Sequence, residues 1–360
     1  MENNMYFNGK TILVTGGTGS MGKTFVRRVL SGEMGTPKKL IVMSRDEGKQ
    51  HNMRLSYLHK TVSTDEVVYS NFKNVLEFRI GDVRDYADVV NSVRNADIVV
   101  NAAALKQVPT CEYFPEQAIM TNCMGAYNIV RAIREHALPI ETVIGISTDK
   151  ACKPINAMGM SKSLQERIFI AANISRPQTR FLCVRYGNVL ASRGSVIPLF
   201  HEQIRTGGPV TITDIRMTRF LLSLDQAVDT VFNALLHGKA GEIFIPRAPS
   251  ALMTDVAKAL VADRKIEIRT TGIRPGEKLH EIMVSDEEAP FVQARGDYYA
   301  IASMLPELNG GSVDVKKSIL KKEFSSGDTL LDFPGTIALL KKHRLMVEDV
   351  PQFSDDEMLR

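Results

Sequence analysis

The chain has 360 residues, 44% of them hydrophobic and 24% charged. That balance belongs to a globular protein and excludes a disordered, collagenous or disulfide-scaffold chain. The net charge is +4, from 45 Lys and Arg against 41 Asp and Glu. Over this length it is not the basic stripe of a nucleic-acid binder, but it suits an anionic small ligand.

The four cysteines, Cys111, Cys123, Cys152 and Cys183, form no CxxC pair and read as free thiols in a reducing compartment. The opening MENNMYFNGK has no basic-then-apolar leader. No run approaches the roughly 18 apolar residues of a membrane span. The expectation is a cytoplasmic protein with neither membrane nor nucleic acid as partner. Seven histidines are scattered without HExxH spacing or a Cys/His cluster, so no metal is expected.

The first element is TILVT (11–15), a short β-rich run that ends at glycines, as a buried parallel strand does. MGKTFVRRVL follows with helical spacing of Met21, Phe25, Val26, Val29 and Leu30. KKLIVMSR, FRIGDVRD, DIVVNAAA, ETVIGIST and RFLCVRYGNV supply five more strands. Helical patterns alternate with them, the longest over 116–137 and 160–175. This rhythm predicts an α/β fold, a Rossmann-type doubly wound parallel sheet whose strand C-termini share one ligand-binding edge. After about residue 190 the rhythm breaks. Residues 1–190 read as the dinucleotide domain and 191–310 as a substrate region with segments returning to the sheet. Residues 311–360 read as a charged arm.

Gly16, Gly19 and Gly22, with Thr18, Ser20 and Met21 between them, form GxxGxxG between the first strand and helix. Glycine lets the backbone turn tightly and approach a pyrophosphate, which the helix N-terminus then holds. The second strand ends in Ser44 and Arg45 where an NAD site carries an acid. A hydroxyl and a guanidinium suit a 2′-phosphate, so NADP is expected rather than NAD. Asp82 and Val83 close the third strand, where an adenine would rest.

TGGTGSMG, GDVRD, NAAALKQVP, STDKA and PINAMGMSK together resemble the extended short-chain dehydrogenase/reductases. SRDEGKQ, AALKQVPTCEYFP, STDKACKPIN, RYGNVLASRGSVIP and RPGEKLHE narrow the resemblance to soluble UDP-N-acetylglucosamine 4,6-dehydratases. One position departs. Where the superfamily carries Tyr-x-x-x-Lys, this chain has Met158-Gly159-Met160-Ser161-Lys162. A thioether takes up no proton in this chemistry. The inverting dehydratases of capsule and O-antigen pathways include a branch with methionine here, and LPEL at 305–308 resembles that branch. The implied product is a UDP-4-keto-6-deoxy-L-hexosamine. Epimerisation at C3 stays open, because the same ketone acidifies C3.

The resemblance implies Lys150 as the base at C5, Asp149 as the acid for the C6 hydroxyl and Lys162 at the nicotinamide ribose. The 4-OH proton passes to Lys162, Lys150, Asp149 or water, and the sequence does not choose. Tyr186 resembles a substrate-side strand end and is no substitute for the missing tyrosine. Ala102, Ala103 and Ala104 fall on the cofactor side. Lys106, Asn188, Arg219, Arg274 and Glu277 fall on the substrate side, with Asn188 and the arginines at phosphates and Glu277 near the uridine ribose. Their plainer alternatives are solvated loop residues and surface ion pairs. Self-association, as a dimer through 116–137 and 160–175 or a hexamer through the arm, is also implied. Two other functions compete: a UDP-sugar 4-epimerase, and a non-catalytic dinucleotide-binding sensor or scaffold.

Overall fold

The computed structural model describes residues 5–58, 66–190, 195–309 and 318–349. Six strands, β1 (Thr11–Thr15), β2 (Lys39–Ser44), β3 (Leu76–Ile80), β4 (Ile98–Asn101), β5 (Thr142–Thr148) and β6 (Arg180–Tyr186), run parallel in the order β6-β5-β4-β1-β2-β3. Ile243–Pro246 extends the sheet in parallel beside β6. Tyr298–Ile301 and Val292–Arg295 then close that edge antiparallel. The Rossmann-type parallel sheet expected from the sequence is present.

The strands are apolar because helices cover both faces. All five residues of β1 are buried. Helix α1 (Ser20–Leu30) turns Phe25, Val26, Val29 and Leu30 into the same core. A second, smaller core gathers Ile197, Phe200, Val210, Leu221, Val256 and Leu260 beyond the sheet. The chain enters that region after β6 and returns to the sheet twice. The order reverses at β1, which pairs with β2 on one side and β4 on the other. Loops leaving β1 and β4 therefore part at the crevice where open α/β sheets bind ligands. No described helix is long and apolar enough to cross a membrane.

Two expectations need correction. The long helix expected over 116–137 is split into Pro115–Ala118, a π-helical stretch Ile119–Met124 and Gly125–Glu135. Its apolar spacing is the same on both sides of the bulge, so periodicity alone does not reveal it. The described part of the expected charged arm, 318–349, folds onto its own chain. Phe324 joins the main core, and Leu340 and Leu345 join the second. Residues 311–317 and 350–360 lie outside the described residues.

Beneath the sheet's ligand edge, Arg185 of β6 is 1% exposed and holds two carboxylates. It donates to Glu166 at 2.7 and 3.1 Å, to Glu288 at 2.8 and 2.9 Å, and to the Met283 carbonyl at 2.7 Å. Ser147 of β5 donates to Glu166 at 2.5 Å. Removing one member of such a group leaves uncompensated buried charge. Arg185→Ala is expected to lower the unfolding free energy by about 3–5 kcal/mol, read by urea denaturation. A loss under about 1 kcal/mol would match an exposed pair instead.

Candidate active site

A cavity of about 1060 Å³ opens along the C-terminal ends of the strands. At one end it is lined by the β1–α1 loop, from Gly16 to Lys23, and by Ala102, Ala103 and Ala104 after β4. Gly16 has φ +66°, and a Cβ there would lie 2.7 Å from the Ala103 backbone. A Cβ on Gly22 would lie 2.5 Å from the Gly17 Cα. Gly19 caps α1 with no side-chain hydrogen bond, and the first turn carries no acid. The helix N-terminus therefore presents backbone N–H groups and a positive dipole end without competition. This cradle fits a dinucleotide pyrophosphate.

Ser44, Arg45, Asp82 and Val83 stand beside this end but do not line the cavity. Ser44 Oγ is 3.0 Å from Thr18 Oγ1, which ties the end of β2 to the glycine loop. Arg45 is more than half exposed and lies 3.8 Å from Asp82. The Asp82 carboxylate is already engaged: Arg84 donates to it at 2.6 and 2.9 Å. Burial acts to raise the Asp82 pKa, but the Arg84 contacts hold it below the usual carboxylate range. Asp82 thus orders the loop with Arg84, and Val83 packs beneath Gly125.

The other end brings distant residues together. Asp149 and Lys150 follow β5 directly, where Thr148 caps a short turn. Asp149 is fully buried, whereas Lys150 reaches the cavity. Lys150 Nζ lies 3.0 Å from Asp149 Oδ1, 3.1 Å from Asn188 Oδ1 and 3.1 Å from Glu281 Oε1. Burial would lower the lysine's pKa, but Asp149 and Glu281 outweigh it and raise it. The two carboxylates move apart. Burial pushes Asp149 up. Glu281 is held down, because Lys150, Arg219 and Lys278 together outweigh its own burial. Environments that separate two carboxylates in this way are suited to acid–base work.

The substrate-side expectations divide. Lys106, Arg274 and Glu277 line the cavity. Glu277 also accepts from the Arg274 backbone N–H at 3.3 Å. Asn188 and Arg219 line it too, but their described contacts run into the protein. The Asn188 amide oxygen is given to Lys150. Arg219 is 7% exposed, donates to the Thr218 and Leu279 carbonyls at 2.7 and 3.2 Å, and lies 3.7 Å from Glu281. Both thus line the cavity and contact the cluster around Lys150.

Met158 and Lys162 sit one turn apart on the helix Ala157–Ser175, and both border the cavity. Met158 packs with Cys111 and Ala118. Lys162 donates to the Ile146 carbonyl, and to Gln165 at 2.6 Å. Its burial lowers its pKa to about 8. Burial also pushes the Tyr186 hydroxyl up, so it is a poor base. Two residues escaped the sequence reading. Glu281 is one. The other is Asn122, in the π-helical stretch, which bonds both backbone groups of Leu105 at 2.9 and 3.0 Å and Ser161 at 2.9 Å. It fixes the loop carrying Lys106 against the Lys162 helix. A π-bulge often marks a functional position, but nothing in the local pattern announces one here.

Lys162 yields a pH test. Its folded pKa lies below the unfolded value of about 10.5, so between these values the unfolded chain binds more protons and stability rises with pH. Lys162→Met is expected to remove that contribution. Its stability relative to wild type should fall between pH 8 and pH 10 in urea titrations, whereas a constant difference would argue against a depressed pKa.

The chain matches the model of a family described as polysaccharide biosynthesis protein over residues 12–303. It is 45% identical to a protein named UDP-glucose 4-epimerase from Rickettsia conorii, over 90% of this chain and 92% of that one. The Rickettsia bellii protein of the same name is 42% identical over the same shares. Among solved structures, Pen from Bacillus thuringiensis superposes with a TM-score of 0.83 at 31% identity, covering 95% of this chain and all of that one. The dTDP-glucose 4,6-dehydratase DesIV of Streptomyces venezuelae, solved with NAD and TYD bound, shares the fold at 20% identity and a TM-score of 0.62, over 75% of this chain and 86% of its own. With the family model matched over 12–303 and its glycine cradle and lysine–carboxylate cluster facing one cavity, this chain belongs to the polysaccharide biosynthesis protein family.

Proposed function

We propose that the protein is an NADP-dependent UDP-N-acetylglucosamine 4,6-dehydratase that inverts C5. The carrying observation is the cluster at the end of β5, where Lys150 faces the cavity between two carboxylates in unlike environments. Removing water across C5 and C6 needs a base for the C5 proton and an acid for the departing hydroxyl. A 4-epimerase needs neither. The substrate and the inversion rest on the sequence resemblance, including Met158 at the tyrosine position, and the nucleotide preference rests on Ser44 and Arg45 at the end of β2. The name of the Rickettsia relatives, UDP-glucose 4-epimerase, favours 4-epimerisation as the second reading.

Gly16, Thr18, Gly19, Ser20, Met21 and Gly22 would hold the pyrophosphate, and Ser44 with Arg45 the 2′-phosphate. Val83, Asp82 and Ala102–Ala104 would border the adenosine and nicotinamide halves. The cofactor, when bound, supplies the acceptor for a hydride from C4 and its donor to C6. Lys162 is the titratable group of the Met158 turn, and its lowered pKa suits it to the 4-OH proton. Lys150 takes the C5 proton once its amine is free. Asp149, whose pKa burial pushes up, would give a proton to the C6 oxygen, which leaves as water. Lys106, Arg274 and Glu277 would meet the nucleotide and sugar.

Exposed apolar side chains on two adjoining helical segments support pairing of two copies. Tyr113, Phe114, Ile119 and Met124 precede or lie in the π-helical stretch, and Met160, Leu164 and Ile174 lie on the neighbouring helix. Exposed apolar side chains gathered on neighbouring helices suit a self-association surface.

Incubation with UDP-N-acetylglucosamine and NADP in deuterated water, followed by proton NMR, tests the reading. A 4-keto-6-deoxy L-sugar with deuterium at C5 is expected, and deuterium at C3 would add epimerisation there. A C4 epimer alone would establish the second reading, and unchanged sugar would reject both for this substrate. Arg45→Ala is expected to weaken NADP binding about tenfold and leave NAD unchanged, since it removes one charge-assisted phosphate contact. Equal losses for both nucleotides would defeat the 2′-phosphate assignment.

A further inference from the structure

Lys150 meets two carboxylates, and only one can be its ionic partner if the other serves the leaving hydroxyl. We infer that Glu281 is that partner: a positioning residue that stays ionised, pairs with the Lys150 ammonium and holds its Nζ at the cavity. The inference rests on reading Asp149 and Lys150 as the acid–base pair.

Two observations separate the carboxylates, and a third is common to both. Glu281 is 2% exposed, and its Oε1 lies 3.1 Å from Lys150 and 3.7 Å from Arg219. It therefore stands between two cations, with Lys278 as a third nearby. Asp149 has Lys150, Asn188 behind that lysine, and the Thr148 hydroxyl, which donates to it at 2.9 Å. With fewer cations and full burial, Asp149 is the easier group to keep neutral. A protonated Asp149 gives Lys150 no counter-charge, and Glu281 is the remaining anion in contact. Finally, Asp149 Oδ2 and Glu281 Oε2 are both buried without a hydrogen-bond partner among the described residues. A proton on either group would convert an acceptor-only carboxylate into one with a donor.

Arg219, bound to two backbone carbonyls, holds Glu281 from its other side.

Two measurements test this on the full chain with NADP. The first reads Lys150 without turnover: its acetylation by acetic anhydride across pH, followed by mass spectrometry of the digested protein. Loss of an anion in contact lowers the amine's pKa by about one unit or more. Glu281→Gln should therefore raise Lys150 labelling about tenfold at a fixed pH below the midpoint. Unchanged labelling overturns the inference.

The second reads deuterium at C5 of recovered UDP-N-acetylglucosamine. Asp149→Asn should still exchange C5 while losing no water, whereas Glu281→Gln should do neither because Nζ is no longer held toward the sugar, with the Kd for UDP-N-acetylglucosamine unchanged in both. Exchange kept by Glu281→Gln and lost by Asp149→Asn assigns the partner to Asp149 and overturns the inference. If Glu281→Gln does not fold, Glu281→Asp, which draws the carboxylate back by one methylene, should shift both readouts in the same direction. Its failure to shift either overturns the inference. A wild type that leaves the sugar untouched rejects the dehydratase reading, while the labelling result still decides the pairing.

Discussion

Arg185 is the constraint on which the site depends. A guanidinium cannot shed its charge to ease burial, so the chain has to bring it compensating oxygens. Glu166 comes from the helix that carries Lys162, and Glu288 from the segment after Glu281. Ser147, two residues before Asp149, is tied to the same Glu166. One buried cation thus fixes the mutual positions of β5, β6, the Lys162 helix and the strand leading away from Glu281. Such groups contribute little net stability, because desolvation consumes most of the attraction. What Arg185 supplies is registry: its planar fork accepts the two carboxylates only in one arrangement.

The acid–base cluster one layer above works on the opposite principle. Its charges are not saturated. Two carboxylates, a lysine and an arginine share few hydrogen bonds, and two oxygens lack donors. In a low-dielectric pocket, small changes in contact then move protons between neighbours. A saturated network beneath an unsaturated one lets the upper groups titrate while their positions stay fixed.

Much of this was legible before the fold. β1, β2, β5 and β6 fall where short apolar runs meet glycine or polar residues, and the GxxGxxG loop sits between strand and helix as its spacing requires. Those are local signals. Lys150 and Met158 were equally visible, since strand ends and a broken Tyr-x-x-x-Lys pattern are read directly. Glu281 was not, because its significance comes from packing against a lysine far earlier in the chain. Asn188 and Arg219 were found, and both line the cavity, but their contacts with the Lys150 cluster were not foreseen. Residue type alone does not say whether an amide or a guanidinium turns toward solvent or toward a buried partner. The π-bulge at Asn122 was hidden for a related reason: its purpose is to bond the Leu105 backbone across the fold, and neighbouring residues carry no trace of that.

The arrangement around Arg185 also sets an order of events in time. Glu166 is made before Arg185, but Glu288 follows it by 103 residues. At roughly 5–20 residues per second, a ribosome needs about 5–20 s to deliver that second carboxylate. During this interval β1–β6 can already pair, with their arginine half-compensated and the sheet edge beside β6 uncovered. The strands 243–246, 298–301 and 292–295 close that edge only later, and Leu340 and Leu345 seal the second core later still. The nucleotide cradle is therefore the oldest part of each newly made molecule, and the cluster around Lys150 stays incomplete until Glu281 has been made.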